Sequence, residues 1–173
     1  MRVGIGHDTH RLVEGRPLVL GGVTVPHSRG LAAHSDGDVV LHAVADALLG
    51  AAALGDIGEL FPDTDPRYAG IASAEIVRQV VTRVLAAGWL PVNVDVVIHA
   101  EQPKLGAHKK AMRQRISQLL GIDAAAVSVK AKTGEGVGPV GRAEAISCEA
   151  VVLIEEVTGL GGDTELLMPS RKP

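Results

Sequence analysis

The chain has 173 residues, which is enough for one domain with a substantial hydrophobic core. Hydrophobic residues make up 46% and charged residues 21%, proportions that are typical of a globular protein. Because the formal net charge is −3 and only 2% of the residues are aromatic, the chain offers no basic surface or stacking platform for nucleic acid.

Three further features bear on the compartment. The N-terminus lacks the basic-then-apolar pattern of a signal peptide. The apolar stretch 43–54 is interrupted by Asp46 and Gly50, which argues against a membrane span. The single Cys148 has no partner for an internal disulfide, and its apolar neighbours favour a buried thiol over a reactive one. We therefore expect a cytoplasmic chain without a membrane partner.

The first predicted element is a strand over residues 1–6 that runs into Asp8 and His10. Side chains two residues apart on an extended strand point to the same face, so Asp8 and His10 can coordinate one ion together. Carboxylate and imidazole are both common zinc ligands. An Asp-x-His tripeptide also occurs by chance on protein surfaces, so the pair alone is weak evidence for a metal site.

A hairpin and a helix come next. Residues 18–26 form two short apolar runs joined at Gly21-Gly22, which predicts a β-hairpin. A helix is predicted over residues 39–49, with Ser35 or Asp36 as its cap and Gly50 near its end.

This helix carries a third candidate ligand, His42. Asp38, His42 and Asp46 are spaced four apart and share one helix face. His42 can therefore reach a metal while Asp38 or Asp46 holds its other ring nitrogen, as ligating histidines usually require. The alternative is a solvated polar stripe on an amphipathic helix.

The rest of the chain alternates between helices and strands. A loop rich in Gly, Asp and Pro covers residues 54–66, and the predicted elements after it are a helix over 74–85 ending near Gly88, a strand over 92–100, a helix over 105–120 ending at Gly121, and strands over 127–132 and 145–156. This order predicts an α/β fold of the α+β type, with a mixed β-sheet and helices on one face. We expect one domain over residues 1–157 and a mobile tail over residues 158–173.

Two loops have compositions that suit phosphate. Residues 130–142 combine cations with glycines, so that backbone amides can approach phosphate oxygens while Lys132 and Arg142 supply charge. Glu135 in this loop is a candidate Mg²⁺ ligand. The spacing is not that of a Walker A loop, and an ordinary Gly-rich turn is the alternative. Residues 100–106 follow a strand end, where α/β folds often bind ligands.

Four ordered motifs resemble those of the 2-C-methyl-D-erythritol 2,4-cyclodiphosphate synthase family of the non-mevalonate isoprenoid pathway. They are His7-Asp8-Thr9-His10, GLAAHSDGD at residues 30–38, AAALGDIG at residues 51–58 and FPDTD at residues 61–65. The likeness runs from residue 1 to about residue 156. It implies a homotrimer with three sheets packed around its axis and with active sites between subunits.

The resemblance also implies a reaction and its cofactors. The substrate would be 4-diphosphocytidyl-2-C-methyl-D-erythritol 2-phosphate, and the products the cyclic diphosphate and CMP. Zinc, or another divalent transition metal, would be bound by Asp8, His10 and His42. Glu135 would hold Mg²⁺ or Mn²⁺ between substrate phosphates, and His34 and Thr133 would stabilise the transition state.

The resemblance assigns a substrate-binding role to a larger set of residues. Asp56 and Gly58 would bind the cytidine ribose, and Asp63 and Asp65 the methylerythritol end. The full set is Asp8, Thr9, His10, His34, Ser35, Asp56, Ile57, Gly58, Phe61, Pro62, Asp63, Thr64, Asp65, Ala100, Glu101, Gln102, Pro103, Lys104, Leu105, Gly106, Ala131, Lys132, Thr133, Gly134, Glu135, Pro139 and Arg142.

The chain departs from the family pattern at three positions. His7 and Pro139 stand near the expected trimer axis, where the family often has aromatic residues, and Lys132 stands where a hydroxyl is frequent. Two other functions remain open at this point. One is a non-catalytic protein that senses isoprenoid diphosphates through residues 138–142, and the other is a general metal-dependent phosphohydrolase.

Overall fold

The computed structural model describes residues 1–157, so the predicted tail 158–173 lies outside the described residues. The elements in chain order are β1 (Arg2–Glu14), β2 (Leu18–Leu20), β3 (Val23–Val25), β4 (Arg29–Leu31), α1 (Val39–Ala52), α2 (Ile57–Leu60), α3 (Ser73–Ala86), β5 (Trp89–His99), α4 (Lys109–Leu120), β6 (Val127–Lys132), α5 (Gly138–Gly141) and β7 (Ala145–Glu156). Short 3₁₀ turns lie at Pro66–Tyr68 and Ala124–Ala126. None of the helices over residues 1–157 combines the length and the apolar character needed to cross a membrane.

The main sheet has five strands in the order β4-β1-β7-β5-β6. Only β5 and β6 run parallel, and the other neighbours are antiparallel. Strands β1 and β7 pair over ten residues' length, from Arg2 opposite Ile154 to Arg11 opposite Ala145. The mixed sheet predicted from the sequence is confirmed, and β2 and β3 form the predicted hairpin as a separate unit.

The two faces of the sheet differ in exposure. One face buries alternate residues of β5 and β7, such as Val96, Ile98 and Ile154, under the helices. The other face leaves Val3 66% exposed, Ile5 72% exposed and Val151 43% exposed. The helices therefore cover one face, as predicted, while apolar side chains stand uncovered on the opposite face of the single chain.

Helix α1 is the centre of the core. All of its residues except Asp46 and Gly50 are buried, which is the pattern of a helix surrounded by other elements. Asp38 caps its first turn by accepting from the amides of Val40 and Leu41, and the helix ends at Ala53 in a left-handed conformation.

Several predicted boundaries were wrong. The cap of α1 is Asp38 rather than Ser35 or Asp36, because Asp36 turns towards the start of α3 and accepts from the amide of Ser73. Strand β1 continues beyond residue 6 to Glu14, because β7 and then β4 supply pairing partners. The helix predicted over 105–120 begins only at Lys109, after a turn.

Strand β1 and helix α1 touch backbone to backbone. A Cβ atom at Gly6 would lie 2.0 Å from the carbonyl oxygen of Ala43, and one at Gly4 would lie 1.9 Å from that of Ala47. No side chain can occupy either gap, because the contacting atoms belong to the helix backbone itself. The two glycines thus set the distance between the strand that carries Asp8 and His10 and the helix that carries His42.

We predict that Gly6→Ala lowers the free energy of unfolding by at least about 1–3 kcal/mol, because the new methyl group forces α1 away from β1. Urea unfolding measures this change. Gly50→Ala is the matched control, since its Cβ would lie 3.9 Å from the Ile5 carbonyl oxygen and alanine favours a helix by about 1 kcal/mol. Wild-type stability in Gly6→Ala would contradict the role assigned to this contact.

Candidate metal centre and substrate cleft

Asp8, His10 and His42 converge at the seam between β1 and α1. Oδ2 of Asp8 lies 3.0 Å from Nε2 of His10 and 2.9 Å from Nδ1 of His42, and the two imidazole nitrogens are 3.2 Å apart. The alternation of β1 places Asp8 and His10 on the same face, as their spacing predicted. The structure thus brings all three predicted ligands together.

The geometry of this cluster fits a divalent metal. In a tetrahedral site with metal–ligand distances of about 2.0–2.1 Å, neighbouring ligand atoms are separated by about 3.3 Å, close to the three distances seen here. A carboxylate with two imidazoles would supply three of the four ligands of such a metal, and all three side chains line the cleft described below. Two partly exposed ligands, Asp8 and His10, stand beside the buried His42.

The charge at Asp8 depends on its neighbours. Burial alone would raise the pKa of Asp8, but hydrogen bonds and charge interactions with His10 and His42 outweigh burial and hold the pKa well below its usual range. Asp8 is therefore a carboxylate at neutral pH, which is the protonation state that a metal ligand needs.

The prediction that Asp38 or Asp46 holds the second ring nitrogen of His42 was wrong. Nε2 of His42 instead lies 2.8 Å from Oγ of Ser73 and 3.2 Å from Oγ of Ser35. Asp38 is occupied by the backbone amides of Gly21 and Gly22 and by the first turn of α1, while Asp46 accepts from the amide of Ile57.

Ser73 was not among the predicted functional residues. Its only signal in the sequence is a serine near the start of a predicted helix, and no spacing connects it with His42, which lies 31 residues earlier. Only the packing of α3 against α1 brings the hydroxyl to the ring.

A cleft of about 600 Å³ opens beside the metal ligands. That volume suits a small phosphorylated ligand, since typical ligand cavities measure about 300–1,000 Å³. Besides the three ligands, it is lined by Ala32, Ala33, His34, Ser35, Ile57, Gly58, Phe61, Pro62, Asp63, Tyr68, Ala69, Ile71 and Ile76. Nε2 of His34 lies 3.8 Å from Oδ2 of Asp63, and both side chains are largely exposed at the opening.

Three other predicted substrate contacts lie around this cleft without lining it. Asp56 caps α2 by accepting from the amide of Glu59. Asp65 caps the Pro66–Tyr68 turn and forms an ion pair with Arg67. Thr64, between them, is exposed.

A second cluster of predicted site residues forms at the shared end of β5 and β6. Because these two strands are parallel, residues 100–106 and 131–135 leave the sheet at the same edge. The amide of Ala100 donates to the Lys132 carbonyl oxygen at 2.9 Å, and the amide of Gly134 donates to Oε2 of Glu101 at 3.1 Å. Thr133 donates a hydrogen bond to the carboxylate of Glu135.

The two clusters are separate within one chain. Among the described residues, none of those in 100–106 or 131–135 lines the metal cleft. Thr9 and Pro139 line a different cavity with Arg11, Arg29 and Glu144. Arg142 pairs with Glu144, with 2.8 Å between Nε and Oε1.

Comparisons with known proteins agree on one family. The model of the YgbB family matches residues 1–155. The 2-C-methyl-D-erythritol 2,4-cyclodiphosphate synthase of Bordetella petrii is 58% identical over 153 residues, covering 88% of this chain and 94% of that protein. A structure of 2C-methyl-D-erythritol-2,4-cyclodiphosphate synthase in a CDP-bound form has a TM-score of 0.83 at 43% identity, covering 89% of this chain and 100% of the other. The CDP complex of IspF from Plasmodium falciparum has a TM-score of 0.78 at 35% identity, covering 90% and 96%.

We predict that Asp8→Asn abolishes stable metal binding, because the amide keeps the shape of the side chain but removes its charge. Metal-free protein is incubated with Co²⁺ and desalted, and its metal content is measured by elemental analysis. The wild type should retain about one ion per chain at this site. Asp123→Asn, at an exposed 3₁₀ cap, is the control and should match the wild type. Equal cobalt in Asp8→Asn and the wild type would remove Asp8 from the ligand set.

Proposed function

The chain belongs to the YgbB family, and we propose that its Asp8–His10–His42 centre and the loops around it carry out the cyclodiphosphate synthase reaction. The chain is a lyase of non-mevalonate isoprenoid biosynthesis that converts 4-diphosphocytidyl-2-C-methyl-D-erythritol 2-phosphate into 2-C-methyl-D-erythritol 2,4-cyclodiphosphate and CMP. The observation that carries the assignment of this centre is the convergence of three ligand atoms on the wall of a cleft of about 600 Å³.

The reaction needs no nucleophile from the protein. An oxygen of the substrate's 2-phosphate attacks the β-phosphorus and forms the new P–O bond. The bond between the β-phosphorus and the bridging oxygen breaks, and its electron pair leaves with CMP. The one cysteine fits this scheme, because Cys148 is fully buried and burial raises the pKa of its thiol well above the ordinary value. The predicted burial of Cys148 is confirmed.

Positioning is the main contribution of the protein in this scheme. Both phosphates belong to one substrate molecule, so the protein contributes by holding that molecule folded with its 2-phosphate against the β-phosphate, which removes the entropy cost of reaching the reactive conformation. In our proposal the methylerythritol end lies in the cleft between Ile57 and Asp63. His34 and Ser35, which also line the cleft, would donate to the phosphates.

Two cations complete the proposed site. Asp8, His10 and His42 would hold Zn²⁺, which when bound polarises a phosphate oxygen and offsets negative charge. Glu135, exposed beside Thr133, would hold Mg²⁺ or Mn²⁺ between the α- and β-phosphates. His34 and Thr133 would stabilise the transition state by donating to phosphate oxygens on which charge accumulates.

We propose that the cytidine end binds at the second cluster. The relatives with bound CDP support a ligand of the cytidine diphosphate type. The hydrogen bonds that join Ala100 to Lys132 and Glu101 to Gly134 give this edge a defined shape, and in our proposal the segment 100–106 binds the pyrimidine. Lys132 adds a cation for the α-phosphate, and Asp56 would bind the ribose.

The separation of the two clusters supports a homotrimer. In our proposal three sheets pack through their uncovered faces, which carry Val3, Ile5 and Val151, and the 131–135 loop of one subunit meets the metal cleft of the next. A trimer would bury the apolar face and complete each site at a subunit boundary. We further propose that the enzyme works in the cytoplasm.

The two other functions considered from the sequence are less well supported. Sensing of isoprenoid diphosphates would depend on Arg142, whose guanidinium is already paired with Glu144. A general phosphohydrolase would not account for identity of 56–58% to dedicated synthases along about nine-tenths of the chain.

We predict that Ile5→Glu dissociates the trimer, because three like charges would meet at a dry interface. Sedimentation velocity should then detect monomers. Leu85→Glu on α3 changes another exposed apolar residue, 42% exposed, on the helical side and should leave the assembly unchanged. A trimer of Ile5→Glu would place the subunit contact elsewhere.

We predict that the wild type with Mg²⁺ and Zn²⁺ converts the cytidylylated substrate into cyclic diphosphate and CMP, and that His34→Ala lowers kcat by about 10²–10³-fold. Phosphorus NMR follows both species directly.

His34→Gln retains a hydrogen-bond donor and should recover part of the lost rate. Substrate that persists with metal-loaded wild-type protein would refute the proposed reaction. Full activity of His34→Ala would remove only His34 from the mechanism.

A further inference from the structure

We propose that Ser73 and Asp36 are positioning residues that fix the tautomer of His42 and so make its Nδ1 atom a metal ligand. The inference rests on the proposed function in one respect, since it takes Asp8, His10 and His42 as the metal site.

A chain of three side chains starts at the metal centre and leads into the core. Nδ1 of His42 faces Asp8, and Nε2, on the far side of the ring, lies 2.8 Å from Oγ of Ser73. Ser73 has no exposed surface, and its hydroxyl donates to Oδ1 of Asp36 at 2.5 Å. Because Ser73 is fully buried, the substrate cannot reach it, and its effect on the reaction must pass through His42.

The position of the Ser73 hydroxyl proton influences which ring nitrogen of His42 is protonated. A carboxylate can only accept, so the single hydroxyl proton of Ser73 is directed to Asp36. Oγ of Ser73 then presents a lone pair to His42, which favours the ring proton on Nε2. Ser35 is compatible with this arrangement, because its Oγ lies 3.2 Å from Nε2 and also accepts from the amide of Gly37.

With the ring proton on Nε2, Nδ1 of a neutral His42 carries a lone pair. That lone pair points at Oδ2 of Asp8 at 2.9 Å and lies 3.2 Å from Nε2 of His10. This lone pair and the Asp8 carboxylate repel each other unless a proton on Nε2 of His10, or a cation, stands beside them. The buried hydrogen bonds therefore prepare His42 for metal before any metal arrives.

Asp36 is itself held firmly. Its Oδ2 accepts from the backbone amide of Ser73 at 3.1 Å, so the carboxylate also serves the start of α3. Its own amide donates to the Ile71 carbonyl oxygen at 3.2 Å, and the amide of Gly70 donates to the His34 carbonyl oxygen at 2.7 Å. The loop that carries His34 and Ser35 is thus joined to α3, and α3 to the metal ligand on α1.

The test uses metal-free full-length protein and two readouts that do not involve catalysis. Long-range ¹H–¹⁵N NMR at a pH about two units above the ordinary histidine pKa reports which nitrogen of His42 carries the proton. Competition with a chromophoric chelator measures the affinity for Zn²⁺. The wild type should show the Nε2–H tautomer at His42.

Ser73→Ala should populate the Nδ1–H tautomer of His42 and weaken Zn²⁺ binding by about 10–100-fold. Asp36→Asn keeps the shape of the side chain but removes the charged acceptor, and it should shift both readouts in the same direction. It provides the test if Ser73→Ala does not fold. Ser117→Ala is the matched control, because that buried hydroxyl donates to the Gln114 carbonyl oxygen on α4 and should change neither readout.

Two results would overturn the inference: an Nδ1–H tautomer in the wild type, or a tautomer and a Zn²⁺ affinity within about twofold of the wild type in a folded Ser73→Ala or Asp36→Asn. A different case arises if the wild type binds no Zn²⁺ but the tautomer of His42 changes in Ser73→Ala and Asp36→Asn. That result would refute the proposed zinc site and support the role of Ser73 and Asp36.

Discussion

The contact between β1 and α1 is the constraint on which the rest of the structure depends. Gly4 and Gly6 let the helix lie directly on the strand, with carbonyl groups of α1 where side chains of β1 would otherwise stand. The two elements are then close enough for a histidine from one to meet a carboxylate and a histidine from the other. The sheet, α3 and the hairpin turn pack around β1 and α1, and they bury α1 on nearly all sides.

A metal ion at the proposed Asp8–His10–His42 centre would couple folding to binding. The three candidate ligand atoms lie within hydrogen-bonding distance of one another, an arrangement that needs an imidazole proton or a bound cation among them. A metal that binds only the folded chain stabilises that chain by mass action. In our proposal the cyclodiphosphate synthase gains stability from the same ion that its chemistry requires. Before the ion binds, the packing of β1 against α1 has to offset the unfavourable energy of bringing the three side chains together.

Much of the architecture followed from local patterns in the sequence. Alternation placed Asp8 and His10 on one face, Gly21-Gly22 marked the hairpin, and the order of elements indicated a mixed sheet with helices on one side. The hydrogen-bond partners of the polar side chains could not be predicted from these local patterns. Helical spacing favoured Asp38 and Asp46 as partners of His42, but these carboxylates bind backbone amides of other segments. The real partner, Ser73, is brought in by tertiary packing that periodicity does not describe.

Because successive side chains of strand β1 point to opposite faces, the strand contributes to three features of the structure. Its even positions carry the glycines under α1 and the two ligands, and its odd positions carry Val3, Ile5 and the rest of the uncovered face. Inserting or deleting a single residue near its start would exchange the two sets, since the side-chain period of a strand is two. The number of residues from Gly4 to His10 is therefore fixed by the geometry of the strand, because only this spacing keeps the glycines under α1 and the Asp8 and His10 side chains beside His42.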